Sequence, residues 1–152
     1  MYALRKYFLR YANKATWDNL IVITLSEFGR TTIQNTSLGT DHAEAGLMFV
    51  AGGAIKGYNH GHPTGVFGCS PSDSIPWVTG QAGSMFGVSS RYLKRIVDYR
   101  SVLGEIIRKH LGATQNQLDK IIPGYANSGE QLLSGGTSSI DGTPIIGEVG
   151  IL

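Results

Sequence analysis

Leu20-Ile-Val-Ile-Thr-Leu-Ser-Glu-Phe-Gly-Arg-Thr31, followed shortly by Gly39-Thr-Asp-His42, is the stretch that decides how this chain reads. The apolar run Leu20 to Leu25 is too short for a helix and rich in β-branched residues, so it predicts a buried strand. The run stops abruptly at Ser26, Glu27, Gly29 and Arg30, delivering a carboxylate and a guanidinium to the strand's carboxyl end, where open α/β sheets keep their sites. A loop then supplies Asp41 and His42, two further groups suited to gripping a metal or moving a proton.

Working outward, residues 2 to 14 place Leu4, Tyr7, Phe8 and Tyr11 at helical spacing among Arg5, Lys6 and Arg10, an amphipathic helix expected to pack on a sheet. Helix, tight turn and apolar strand form half of a β/α crossover whose first strand is missing. Thr31 to Leu38 is a polar rim loop, and Ala45 to Val50 is a second strand ending in the Gly52-Gly53 turn. Gly57 to Ser74 is a long irregular excursion with one brief strand at Val66-Phe67, and Trp77 to Val88 reads as a short helix or more loop. Arg91 to Val97 leads into the clearest helix, whose stripe Val102, Leu103, Ile106, Ile107, His110 and Leu111 ends at Gly112. Thr114 and Gln117 have capping-box spacing, so a short helix through Leu118 and Ile121 comes next, stopped by Pro123-Gly124.

The chain has 152 residues, enough for one domain with a real core, and 41% hydrophobic against 16% charged residues argues against disorder. From Ala126 onward the composition shifts to Ser, Gly, Asn and Thr, which divides the chain into a folded part, 1–125, and a tail, 126–152, that is a linker, a packing arm or disordered. Past Ala126 stand Glu130, Asp141 and Glu148 and no Lys or Arg; the preceding part holds 13 basic and 8 acidic side chains, a net +5. Most of that excess (Arg91, Lys94, Arg95, Arg100, Arg108, Lys109) reads as a solvated helical face, and without interleaved stacking aromatics it is no nucleic-acid stripe. A single Cys69 excludes a disulfide within the chain. The first residues lack the apolar core of a signal peptide, no run is long enough to span a membrane, and the compartment stays open.

Glu27 after a buried strand either coordinates a cation or caps the next helix or loop, and Arg30 either pairs with it or binds an anionic substrate bidentately. Glu27, Asp41 and His42 together suit a mixed oxygen and nitrogen site for a divalent metal, Zn, Mn or Fe, although neighbouring side chains of an extended segment point apart and the loop must bend between Asp41 and His42. The alternative is a structural Glu–Arg pair. His60-Gly-His62 has spacing for a metal pair but sits in an exposed Gly- and Pro-rich loop, and His110 is a core or helix-end histidine.

Thr24-x-Ser-Glu-Phe-Gly-Arg-Thr31, Gly39-x-Asp-His42, Gly52-Gly-x-Ile-Lys-Gly57, Asp98-Tyr-Arg-Ser-Val-Leu103, Leu111-Gly112 and Pro123-Gly-Tyr125, in that order, resemble the carboxyl-terminal part of the bacterial family catalogued as domain of unknown function 1501. The resemblance runs over about residues 1 to 125. That family, whose members are often exported, is grouped with the alkaline phosphatase and sulfatase superfamily. The resemblance implies an α/β fold: a partial alkaline-phosphatase-like sheet, mainly parallel, flanked by helices, with metal at the carboxyl ends of the strands. The strand that usually ends in an Asp-His pair here ends in Glu27 and Phe28, which keeps a carboxylate and loses a second-metal imidazole; Asp41-His42 resembles the later histidine-bearing segment. The nucleophile and first metal-binding Asp of the family come from an amino-terminal half. The expected function is therefore the carboxyl-terminal module of a metal-dependent phosphatase- or sulfatase-like hydrolase. Glu27, Asp41 and His42 hold the metal, and Arg30 holds a non-bridging oxygen of a phosphate or sulfate ester. An amino-terminal partner chain or a homo-oligomer completes it, and the isolated chain is inactive. The competing expectation is a non-catalytic interaction or scaffold module.

Overall fold

A computed structural model of the chain describes residues 1–11, 13, 15–68, 91–93, 96–123, 125, 136–137, 144–145 and 147–152. Cys69, Lys94, Arg95 and the stretch Trp77 to Val88 lie outside the described residues. The elements are α1 (Tyr2–Arg10), a 3₁₀ turn (Trp17–Asn19), β1 (Ile21–Ile23), β2 (Gly29–Arg30), β3 (His42–Ala43), β4 (Val50–Gly52), β5 (Gly57–Tyr58) and β6 (Gly61–His62). After them come α2 (Tyr99–Glu105), a π-helical segment (Ile106–His110), α3 (Gln115–Ile121), β7 (Gly136–Thr137) and β8 (Pro144–Ile145). Helices and small sheets make the content α/β.

The predicted strand is present as β1, and the second one forms later than Ala45 to Val50, as β4. They pair antiparallel, Ile21 with Gly52 and Ile23 with Val50, where a mainly parallel sheet is expected. The chain between them returns without the helix that usually makes the crossover of a parallel pair. Among the described residues, three of the four two-stranded ladders are antiparallel and the short β5–β6 pair is parallel. Val66-Phe67 forms no strand.

Because side chains alternate across a strand, Ile21, Ile23 and Val50 face the core of Ile55, Val102, Ile106 and Ile151. On the other face Phe49 and Leu47, at 70% and 73% exposure, stand in the open. Helix α1 forms but ends at Arg10, lacks a capping side chain and buries no residue. Among the described residues its main neighbour is the 3₁₀ turn rather than a sheet, and within α1 Phe8 alone is half-buried.

Asp98 starts α2 by accepting from the Arg100 amide at 2.9 Å while its two oxygens hold the Arg100 guanidinium. The helix then widens: the Leu111 amide reaches back to the Ile106 carbonyl, a π turn. Gly112 closes it at φ +69, a left-handed conformation that only glycine adopts without strain. The Thr114–Gln117 capping box begins α3 as its spacing predicts, and α3 buries Leu118 completely against Ile122 and Tyr125.

Residues 147–152, part of the predicted tail, pack on this body, with Ile151 in the central core. Arg108 and Lys109, read from sequence as a solvated face, hold that segment instead: Arg108 pairs with Glu148, and Lys109 with the buried Glu105.

Candidate functional site

Beyond β1 the chain is held to its partner by Thr24, whose amide donates to the Phe49 carbonyl and whose hydroxyl accepts from the Phe49 amide. Ser26 then turns the chain by donating to the Phe28 carbonyl at 2.8 Å, and β2 lies antiparallel to β3 with Arg30 opposite His42 and Gly29 opposite Ala43. The approach at Gly29 is close enough that a Cβ there would sit 1.7 Å from the Ala45 carbonyl oxygen. Buried Thr31 continues the pairing, its amide donating to the Asp41 carbonyl and its hydroxyl accepting from the Asp41 amide, each at 3.1 Å.

Asn35 organises the intervening loop. Its side-chain oxygen accepts from the Ser37 and Gly39 amides, both at 3.0 Å, and its amide group donates to Asp41 Oδ1 at 2.7 Å. Arg91, far along the chain, donates to Asp41 Oδ2 and offers its own carbonyl to the Thr32 amide. Asp41, Asn35 and Arg91 line an open cleft of about 500 Å³. The Asn35 hydrogen bond first, and the Arg91 guanidinium next, hold the Asp41 carboxyl below the usual aspartate range. Its titration, followed by carboxyl-carbon NMR, is therefore expected to centre below that range and to move up in Asn35→Ala; an unmoved midpoint would remove Asn35 as the cause.

Arg30 donates through Nη1 to the Thr40 carbonyl at 2.7 Å and lies 5.2 Å over the Phe28 ring. The Phe28 ring stacks on the His42 imidazole, centroids 3.8 Å apart. Glu27 is exposed and makes no hydrogen bond or ion pair among the described residues. The register thus brings Arg30 and His42 together, with Asp41 at the next position bonded to Asn35 and Arg91, while Glu27 is exposed in the turn that precedes β2. Among the described residues no three His, Cys, Asp or Glu side chains are placed to hold a metal ion, and both Asp41 oxygens already have partners. His60 is exposed, while His62 accepts from the Gly65 amide at 2.8 Å through Nδ1 and its ring lies beside Phe67. His110 Nε2 lies 3.3 Å from the Asn19 carbonyl, a helix-end position.

A family model described as "Protein of unknown function (DUF1501)" matches residues 7–67. The match supports the resemblance carried by the motifs, over a shorter stretch. It takes in all of β1 to β6, with Glu27, Arg30, Asp41 and His42, and stops short of Arg91 and α2. No curated protein and no solved structure matches the chain.

Sequence reasoning did not find Asn35 or Arg91. Asn35 carried a local signal, an Asn ahead of Ser37 and Gly39 in a polar loop, where Asn side chains bond nearby amides. Arg91 lies fifty positions from Asp41 and carried none.

Proposed function

We propose that this chain is the carboxyl-terminal module of a phosphatase- or sulfatase-like ester hydrolase, supplying a rim that holds the anionic ester group. What supports this reading is the β2–β3 register, which sets Arg30 beside His42, with the Asp41–Arg91 ion pair at the adjoining position. The guanidinium N–H groups of Arg30 not bonded to Thr40 are uncommitted among the described residues, and a planar guanidinium suits the oxygens of a phosphate or sulfate. Activated nucleophiles come from elsewhere in this reading, from an amino-terminal partner chain or a second copy seated on the open face that carries Leu47 and Phe49. As Glu27, Asp41 and His42 stand, they do not form a ligand set for Zn, Mn or Fe, and the reading assigns no step to one.

The test is calorimetric titration of the unmodified chain with inorganic phosphate and sulfate. Saturable binding is expected, weakened about tenfold, or 1.4 kcal/mol, by Arg30→Ala; equal binding by the variant would sink the assignment. The isolated chain is expected not to turn over nitrophenyl phosphate or sulfate, because in this reading the activated nucleophile comes from the partner.

The second reading is a non-catalytic scaffold module. It is favoured by one observation, that Asn35 and Arg91 occupy both Asp41 oxygens. The phosphate and sulfate titration separates the two: saturable binding that Arg30→Ala weakens would overturn the scaffold.

A further inference from the structure

Helix α1 runs for 9 residues, has no capping side chain, carries no acid in its first turn and buries none of its residues. Isolated helices shorter than about 12–15 residues are marginal in water, and such a helix gains its stability by burying an amphipathic face. At about 100° per residue, Ala3, Leu4, Tyr7, Phe8 and Tyr11 fall in one arc of about 140°, and Arg5 and Arg10 stand at its two borders. The arc is open: Leu4, Tyr7 and Tyr11 are 36%, 50% and 42% exposed, and Phe8 is half-buried. Its rings adjoin one another, Tyr7 edge-on to Phe8 with centroids 5.4 Å apart and tilted against Tyr11 at 4.9 Å. Arg10 lies 5.6 Å from the Tyr11 ring, and on the opposite side of the helix, beside Leu9, Lys6 lies 5.5 Å over the Tyr2 ring.

We propose that α1 is an interfacial helix that docks the protein on an anionic lipid bilayer, lying in the plane of the surface with the face of Leu4, Tyr7, Phe8 and Tyr11 turned toward the acyl chains. The proposal uses neither Arg30 nor His42 and is independent of the hydrolase reading. Charge selects the partner. Residues 1–15 hold Arg5, Lys6, Arg10 and Lys14 and no acid, in a chain whose formal net charge is only +2. A second copy would bring the same positive charges to this face and be repelled, whereas an anionic leaflet attracts them, each basic side chain near the surface raising affinity about fivefold. The residue types suit a boundary between water and lipid: Tyr joins an apolar ring to a polar hydroxyl, and Arg and Lys lay their methylenes along apolar surface while the charge stays in water. Among the described residues no helix is long and apolar enough to cross a membrane, and α1, about 14 Å long, lies on the bilayer rather than through it.

The test is co-sedimentation of the full chain with vesicles. Binding is expected to phosphatidylcholine vesicles containing about one-third phosphatidylserine, and not to phosphatidylcholine alone, and it should weaken as salt screens the charges. Arg10→Glu removes one attraction and adds one repulsion, so it should weaken binding roughly 25-fold. Lys120→Glu makes the same exchange at an exposed position of α3 and should stay within about twofold of the parent. Since α1 buries nothing, Arg10→Glu should also keep the parental Tm, which separates lost binding from lost fold. Arg30→Ala, which removes the guanidinium assigned to the ester group, should bind vesicles as the parent does, so the two readings fail separately. Insertion is read from Tyr7→Trp, whose emission should move to the blue with anionic vesicles and be quenched by phospholipid brominated in its acyl chains. Equal binding to both kinds of vesicle, equal weakening by Lys120→Glu, or emission that brominated lipid leaves unquenched would each overturn the proposal. So would an absence of binding to either vesicle, which would leave α1 to an acidic protein groove instead.

Discussion

Glu105→Ala is expected to cost the fold about 3–5 kcal/mol, the largest loss of any single side-chain truncation among the described residues. Glu105 is fully buried in mid-helix, a position where a carboxylate persists only if its oxygens are paired. They are: Lys109 Nζ lies at 2.7 Å, and the amides of Gly150 and Leu152 complete the shell. Alanine leaves an ammonium and two buried amides without their acceptor and releases the segment that carries Ile151 into the core. For a chain of this size each kcal/mol moves Tm by about 2–4 °C, so a fall of roughly 10 °C is expected, with the urea midpoint falling in step. Glu105→Gln keeps one acceptor oxygen but turns an NH2 donor toward the donors on the other side, so it should recover only a small part of the loss; a Gln variant as stable as the parent would show that the second acceptor and the charge carry none of it.

The pH dependence has a definite sign. Burial pushes the Glu105 carboxyl up, but Lys109 and the amides of Leu152 and Gly150 outweigh it and leave it below the usual glutamate range. A carboxyl depressed in the folded state contributes stability that is fully present above its unfolded pKa of about 4.3 and is lost as pH falls through the folded value. The gap between the parent and Glu105→Ala should therefore be constant from neutrality down to about pH 5 and close below it; a gap that widens on acidification would contradict the arrangement.

What the sequence revealed of this fold is what local chemistry writes. The Thr114–Gln117 box, the Gly112 stop and the β-branched strand at Ile21–Ile23 each depend on residues within a few positions, and each is where its pattern puts it. The amphipathic pattern of α1 likewise predicts a helix, but not what its apolar side holds, because packing is decided by distant segments. Antiparallel pairing of β1 with β4 depends on the path of the long return between them, which periodicity does not encode. The site divides the same way: Arg30 and His42 meet because a short hairpin-like return carries both, whereas Arg91 reaches Asp41 across a distance no motif spans. Glu105 sat unnoticed on an apolar stripe, although Lys109 four positions later offered a local ion-pair signal; its second role, holding the amides of Gly150 and Leu152, comes from the far end of the chain.

Gly29→Ala is the substitution expected to damage the candidate site most. The added Cβ would lie 1.7 Å from the Ala45 carbonyl oxygen and 2.4 Å from its carbon. Both are backbone atoms, so no side-chain rotation relieves the contact, and the β2–β3 ladder must part. Overpacking against backbone costs about 3 kcal/mol, and here the strain falls on the register that sets Arg30 opposite His42. Three readouts should move together: the Thr31 amide, bonded to the Asp41 carbonyl, loses hydrogen-exchange protection; the His42 ring protons lose the upfield shift imposed by the stacked Phe28; and phosphate binding falls at least as far as in Arg30→Ala. Gly57→Ala is the matched control, because a Cβ there meets nothing within 4 Å and the variant should stay within about 0.5 kcal/mol of the parent. If Gly29→Ala kept the parental His42 shifts and bound phosphate as before, the close approach of β2 to the Ala45 backbone would not be what places Arg30, and the rim would have to be held by Asn35 and Arg91 alone.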